Sequence, residues 1–335
     1  MRLPSVAVMT ELFVARPRGE TVRGGARQPH PAWGPLAALI ADPDVTDVFV
    51  NGAAGAFADR GNGALPVADW QADERFVRDL AVTLIALGGR HLDDGTPCVD
   101  VRVEHGIRVH AVLAPVAPAG TTISIRIPRA IDVDLEGLQR RGMFDEAGRV
   151  RLERLIRDRT NVLLTGAGGS GKTTLLAALL ARADATDRIV TIEDVAELRI
   201  DHPHHVRLEA RQPNLEGAGG IGMARLVREA LRMRPDRLVV GECRGDEVRE
   251  LLSALNTGHD GGAGTLHANS LDDVPARLEA LGALAGLDDR ALARQVASAI
   301  GAVVHLARTH DGTRHVAGIG RPRIVDDRLT IEEER

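Results

Sequence analysis

The segment Leu163 to Leu175, LLTGAGGSGKTTL, restricts the fold of this chain more than any other stretch. The run NVLLT reads as a buried strand, and TLLAALLARA reads as a helix with Leu175, Leu176, Leu179 and Leu180 on its apolar face. Between them GAGGSGKT has the spacing G-x-x-x-x-G-K-[ST], in the strand, loop and helix context that a phosphate-binding loop requires. Glycines let backbone N–H groups turn inward onto phosphate oxygens, and the helix N-terminus adds the positive end of its dipole. The candidate nucleotide-binding residues are Gly166, Ala167, Gly168, Gly169, Ser170, Gly171, Lys172, Thr173 and Thr174. Lys172 is expected to reach the β- and γ-phosphates, and Thr173 to ligate Mg²⁺.

Lys172 is the only lysine in a chain with 42 Lys plus Arg. A compact ammonium on a flexible stem fits beside two phosphates inside such a loop, whereas a guanidinium is wider and fixes its donors in a planar fork. The exception to arginine therefore falls where the shape of the cation matters.

A length of 335 residues suggests two domains. A net charge of -5 gives no sign of general nucleic-acid affinity. No apolar run reaches the roughly 18 to 20 residues that span a bilayer, and the first residues lack a signal-peptide core, so a cytoplasmic location is expected. Cys98 and Cys243 lie far apart and read as free thiols. The aromatics Phe13, Trp33, Phe49, Phe57, Trp70, Phe76 and Phe144 all precede residue 150, so the later sequence has no aromatic stacking platform.

Four segments are expected. Residues 1–33 read as a loose tail rich in Arg, Gly and Pro. Residues 34–127 read as a small α+β domain: a short helix PLAALIAD, a strand TDVFVNG, a hairpin about Gly61 and Gly63, a helix with Phe76, Val77, Leu80, Leu84 and Leu87 on one face, and the strands CVDVRV, IRVHAVLA and TTISIRI. Residues 128–150 read as an Arg-rich linker. Residues 151–335 alternate strands and helices, which implies an α/β domain with a mostly parallel sheet.

Ligands of open α/β sheets sit at the carboxyl ends of the strands. TIEDVAEL places Glu193, Asp194 and Glu197 there, and RLVVGECRGDE places Glu242 there. A carboxylate at such a point can polarise a water for in-line attack on a γ-phosphate. His267 closes the strand GTLHA and can sense or stabilise γ-phosphate charge; His259, nearby in sequence, is a second candidate. DHPHH has neither a cysteine nor a defined ligand spacing and reads as a surface turn. Cys243 reads as a small buried residue.

Five separated blocks, GAGGSGKTT, TIEDVAEL, VRLEARQPN, LVREALRMRPDRLVVGECRGDE and TGHDGGAGTLHANS, resemble the type II/IV secretion ATPase superfamily, most closely its Tad/Flp pilus assembly ATPases. VTDVFVNG, VDVRVEHGIRVHAVLAP and TISIRI resemble that family's N-terminal domain. The resemblance implies a RecA-like ATPase domain preceded by a PAS-like N-terminal domain, with ATP and Mg²⁺ as cofactors. It implies a homo-hexameric ring that hydrolyses ATP to drive pilin assembly or secretion through inner-membrane platform proteins. Membrane contact would be peripheral, through those partners at the cytoplasmic face. Carried over by position, Lys172 belongs to the phosphate loop, Glu193 and Glu197 to the acidic box, Glu242 to Walker B and His267 to the histidine box. Arg102, Arg108 and Arg126 match first-domain arginines, some of which act on nucleotide at a domain or subunit boundary. Gly241 stands where many phosphate-loop enzymes carry a Mg²⁺-binding aspartate, which resembles the family's own habit and implies that Mg²⁺ would be held by Thr173 and, through water, by Glu193 and Glu242; the loop after VRLEARQPN has small residues where charged ones are common.

Two other readings stay open. A DNA-translocating or conjugation-type ATPase can use the same fold, although single-strand binders commonly use aromatic platforms. A small-molecule kinase would need an acceptor pocket and usually a lid, and neither is visible in the sequence.

Overall fold

The computed structural model describes residues 29–335 except 62, 69, 104–105, 128–133, 196, 212–217, 310–311 and 335. The chain forms two compact units, residues 1–130 and 131–335. Most of the expected tail lies outside the described residues. Its last part does not behave as a tail, because Pro31–Leu36 forms a 3-10 helix and Trp33 is 3% exposed in the first unit's core.

The first unit contains α1 (Ala37–Ala41), β1 (Asp47–Asn51), β2 (Ala56–Asp59), β3 (Ala64–Pro66), α2 (Glu74–Leu87), β4 (Cys98–Arg102), β5 (Arg108–Val112) and β6 (Thr122–Arg126). The strands form one antiparallel sheet in the order β3-β2-β1-β6-β5-β4. Period-two alternation sends Val48, Val50, Val99, Val101, Val109, Ala111, Ile123 and Ile125 into the core with α2. The Asp73 side chain caps α2 by accepting the Phe76 N–H at 2.8 Å, a contact type worth about 1 kcal/mol. The buried stripe of α2 is Val77, Leu80, Ala81, Leu84 and Ile85, which follows the i, i+3, i+4, i+7, i+8 rule. Phe76, expected on that stripe, falls one position outside it and is exposed.

The second unit begins with α3 (Leu135–Arg140) and α4 (Glu146–Arg157). Then come β7 (Val162–Gly166), α5 (Lys172–Leu180), β8 (Ile189–Glu193), β9 (His205–Glu209), α6 (Met223–Leu231), β10 (Arg237–Val240), α7 (Glu247–Leu255) and β11 (Ala263–Leu266). The unit closes with α8 (Val274–Leu284), α9 (Asp289–Ala299), β12 (Ala302–Arg308), β13 (Arg314–Val325) and β14 (Arg328–Glu333). The eight strands run in the order β14-β13-β12-β7-β11-β10-β8-β9. From β12 to β9 all pairs are parallel, and β13 and β14 extend the sheet antiparallel. Parallel strands covered on both faces read as continuous apolar runs, as β7, β8 and β10 do. Leu163, Val190, Leu238 and Val303 face one core with α6 to α9, whereas Val162, Leu164, Val239 and Val304 face a second core with α3, α4 and α5.

The described part of the expected linker belongs to this second core. Leu135, Leu138 and Met143 are buried in it. Asp134 and Asp145 start α3 and α4 by accepting the N–H groups of Gly137 and Gly148, each at 2.7 Å. The second unit therefore includes one aromatic residue, Phe144, that the sequence reading placed before it. Among the described residues no helix is long and apolar enough to cross a membrane.

Candidate functional site

The carboxyl edge of the parallel strands gathers most of the second-unit residues that the sequence singles out. β7 ends at Gly166, with φ +146°, and a Cβ there would lie 2.3 Å from the Leu306 carbonyl oxygen, so only glycine lets the chain leave the strand at this point. The loop exposes Ala167, Gly168 and Gly169 and returns to α5 at Lys172. The first N–H groups of a helix have no partner within it, so this end presents unspent donors. Lys172 is 7% exposed, and its Nζ donates to the Gly166 carbonyl at 2.7 Å and the Ala167 carbonyl at 2.9 Å. Burial lowers its ammonium below the ordinary lysine value, and the charge of Glu242 opposes that shift. Thr173 and Thr174 follow, both half-buried. The Ser170 hydroxyl is buried without a hydrogen-bond partner among the described residues.

Glu193 ends β8 and is 4% exposed. Its Oε1 accepts the N–H groups of Glu197 at 2.8 Å and Leu198 at 2.9 Å, while its Oε2 is buried with no partner among the described residues. Burial raises its carboxyl, and the two N–H groups only partly offset that. The glycine after β10 has its explanation here: a Cβ on Gly241 would lie 2.5 Å from the Glu193 Cγ. The space that a residue-241 side chain would fill is occupied by the acid of the neighbouring strand.

Glu242 follows Gly241, and its carboxylate is 25% exposed. Its Oε1 lies 2.8 Å from His267 Nε2, and its Oε2 accepts from Arg244 Nη2 at 2.6 Å. The His267 ring also borders the loop, with Cε1 3.6 Å from where a Cβ on Gly168 would stand. Burial and then the Lys172 charge lower the His267 imidazole; Glu242 pulls the other way, and Arg244 and Arg277 lower it further. These influences favour the neutral ring, in which one nitrogen donates a hydrogen bond and the other accepts one.

Other candidates lie elsewhere. His259 comes before β11, at the amino edge of the sheet, and hydrogen-bonds the Ala254 carbonyl at 3.2 Å. Glu197 contributes its main-chain N–H to Glu193, and its side chain is exposed. In DHPHH, His202 is 2% exposed and fastens the turn, with Nε2 2.9 Å from the Asp184 carbonyl and Nδ1 accepting from His204 N–H at 3.2 Å. Among the described residues no cluster of His, Cys, Asp and Glu could hold a metal ion by itself. Cys98 and Cys243 are free, and burial pushes the Cys243 thiol up, away from nucleophile chemistry.

Two polar groups at this edge escaped the sequence reading. Arg244 is one. The other is His305 of β12, 5% exposed, whose Nδ1 is 2.9 Å from the hydroxyl of Thr165, the residue before Gly166. Its only signal is a histidine inside the apolar run AVVHLA.

In the first unit, strand register aligns Arg102 with Arg108, Arg108 with Arg126, and Arg126 with Asp47. Three arginines thus stand side by side on one sheet face, and Arg126 Nε donates to Asp47 Oδ1 at 3.1 Å. Like charges directly opposite repel, and the Asp47 carboxylate offsets part of that at Arg126.

The second unit, with its phosphate loop between β7 and α5 and acids at the ends of β8 and β10, defines a protein of the phosphate-loop ATPase class. The family model for type II/IV secretion system proteins matches residues 32–330. A Mycobacterium tuberculosis protein named for conjugal transfer is 46% identical over 302 residues, 88% of this chain and 86% of that protein. TrbB of Sinorhizobium fredii, also named for conjugal transfer, is 31% identical over 315 residues, 89% and 92% of the two chains. The crystal structure of the pilus retraction motor PilT with bound ADP superposes with a TM-score of 0.61 at 19% identity, covering 84% of this chain and 81% of that one, a likeness of fold. The chain belongs to the type II/IV secretion ATPase superfamily.

Proposed function

We propose that this chain is an ATP-hydrolysing ring motor that powers Tad-type or type IV pilus assembly, or type II/IV secretion, by nucleotide-driven domain motion. The supporting observation is the 2.8 Å contact of Glu242 with His267 beside the phosphate loop. It joins a candidate base to an imidazole where a γ-phosphate would end.

In this reading the second unit is a RecA-like ATPase domain and the first is a PAS-like domain. The loop from Gly166 to Thr174 holds the phosphates, and Lys172 exchanges its two carbonyl partners for phosphate oxygens. Glu242 accepts the proton of the attacking water, and His267 follows the γ-phosphate. The residues also suit Mg²⁺: Ser170 Oγ in the loop and Glu193 Oε2 at the carboxyl end of β8 are buried oxygens without a partner among the described residues. Thr173 would ligate the ion, with Glu193 and Glu242 holding its waters, and the bound ion would neutralise phosphate charge. Arg102, Arg108 and Arg126 would meet the nucleotide of a neighbouring subunit in a homo-hexamer. Partners would be inner-membrane platform proteins, with membrane contact only through them at the cytoplasmic face.

The test mixes two inactive chains, Arg108→Ala and Lys172→Ala, under conditions where subunits exchange. Mixed rings contain interfaces with an intact loop on one side and an intact arginine on the other, so phosphate release should partly recover. An arginine acting across an interface is worth about 10³ in rate. No recovery, together with full turnover by a demonstrated monomer, overturns the ring. A second reading, a conjugation-type ATPase that moves DNA, is favoured by the names of the two conjugal-transfer relatives. Stimulation of turnover by DNA would select it, and indifference to DNA would leave the filament or secretion motor.

A further inference from the structure

Both oxygens of the Glu242 carboxylate are occupied, by partners of different kinds. Oε1 meets His267, which borders the phosphate loop. Oε2 meets Arg244, two residues further along the same loop. The main chain beneath Arg244 is itself anchored. Glu247, in the first turn of α7 and 5% exposed, accepts the N–H of Arg244 and, at 2.9 Å, that of Gly245. A buried carboxylate on main-chain N–H groups makes charge-assisted bonds, the strong kind. An arginine with a fixed backbone and a planar fork loses little freedom when it grips a carboxylate, unlike a lysine.

We propose that Arg244 is a positioning residue for Glu242, with Glu247 as its anchor. Arg244 fixes the plane of the carboxylate by holding Oε2, and this leaves Oε1 as the atom that takes the proton from water once His267 turns to the phosphate. The inference rests on the reading of Glu242 as the general base. It differs from an ordinary exposed ion pair, which contributes little, because one end of the pair is tied down by a buried group. It also gives the turn after β10 a purpose beyond connecting a strand to a helix.

The test compares full-length Arg244→Ala, Arg244→Lys and Glu242→Gln. The readouts are ATP affinity, kcat and KM for phosphate release, and the response to added guanidinium ion. The Arg244 side chain is 60% exposed, so its removal opens no core. Misplacing a catalytic group by about an ångström costs on the order of 10²-fold, so Arg244→Ala should lose about that much kcat with ATP affinity essentially unchanged. Arg244→Lys should be intermediate. Guanidinium ion should recover activity in Arg244→Ala and leave Glu242→Gln inactive. Wild-type kcat in Arg244→Ala, with Glu242→Gln inactive, overturns the inference while sparing the base. Joint loss of kcat and ATP affinity without response to guanidinium ion overturns it too, by showing a merely structural arginine. Wild-type turnover in Glu242→Gln overturns the base assignment itself.

Discussion

The two edges of the parallel sheet in the second unit use the same residue types to opposite ends. At the amino edge Asp187, before β8, is shared by Arg159 and Arg237 at 2.8 and 2.6 Å. Arg237 also donates to the carbonyls of Gly261 and Ile156, and Arg159 to that of Asp236, so donors and acceptors are spent on one another. At the carboxyl edge polar groups are left unfinished: Glu193 Oε2 and Ser170 Oγ are buried without partners among the described residues. Lys172 spends its ammonium on two carbonyls of its own loop, a partnership that phosphate oxygens can replace. A cleft of about 590 Å³, lined by Arg157, Arg159, Arg182, Asp184, Asp187 and Arg237 among others, opens at the amino edge. Unpartnered buried atoms are not confined to the carboxyl edge, since Glu136 Oε2, whose carboxylate meets Arg182, and Gln295 Oε1 are two more. The carboxyl edge is marked by Glu193 Oε2 and Ser170 Oγ standing with a buried ammonium whose carbonyl partners can be exchanged.

The largest effect that would break this contrast concerns Lys172. Lys172→Ala should abolish hydrolysis with the fold intact, as read by phosphate release and thermal unfolding. Lys172→Arg should be severely impaired as well, because a guanidinium must enter the space where Nζ now sits between two carbonyl oxygens. Near-normal turnover in the arginine variant would show that cation shape is irrelevant at the loop.

Next in size is the acid–imidazole pair. Glu242→Gln keeps the side-chain volume and removes the carboxylate, so ATP should still bind while turnover falls by about 10² or more. His267→Ala should also bind ATP and lose turnover. Unchanged turnover in either variant would remove that residue from the chemistry and weaken the case that the carboxyl edge is the working one.

The phosphate loop was legible because each position carries a separate demand: glycine to leave β7 at Gly166, and a slim cation at Lys172. Glu193, Glu242 and His267 were legible because each stands where an apolar strand stops. Arg244 was not, since an arginine in a chain with a single lysine carries no signal of its own. α3 and the start of α4 were passed over because an Arg-rich run masked the Asp134 and Asp145 caps and the buried Leu135, Leu138 and Met143. The fit of Gly241 to Glu193 depends on two strands being neighbours, which no local pattern records. The bond from Arg237 to Asp187 spans 50 residues and is hidden for the same reason.

The smallest expected effect on catalysis, and the sharpest test of the contrast, lies at the amino edge. Asp187→Asn removes the one carboxylate that two arginines share and leaves Arg237, 2% exposed, with an uncompensated charge. Breaking a buried pair in this way costs on the order of 3 kcal/mol, which should lower the denaturation midpoint of the second unit. Turnover per folded molecule should not change, because Asp187 lies at the other end of the strands from Lys172 and Glu242. Acid should modulate the stability difference. Burial alone would raise the Asp187 carboxyl, but the hydrogen bonds and charges of Arg237 and Arg159 outweigh it and hold the group below its ordinary value. A carboxyl with a depressed folded-state value contributes stability that is fully present above its unfolded value, about 3.9, and is lost as pH falls through the folded one. The gap between wild type and Asp187→Asn should therefore be constant near neutrality and close below about pH 4. A gap that persists in strong acid would mean that the charge of Asp187 is not what holds this edge. A fall in turnover per folded molecule would mean that the two edges are coupled through the strands.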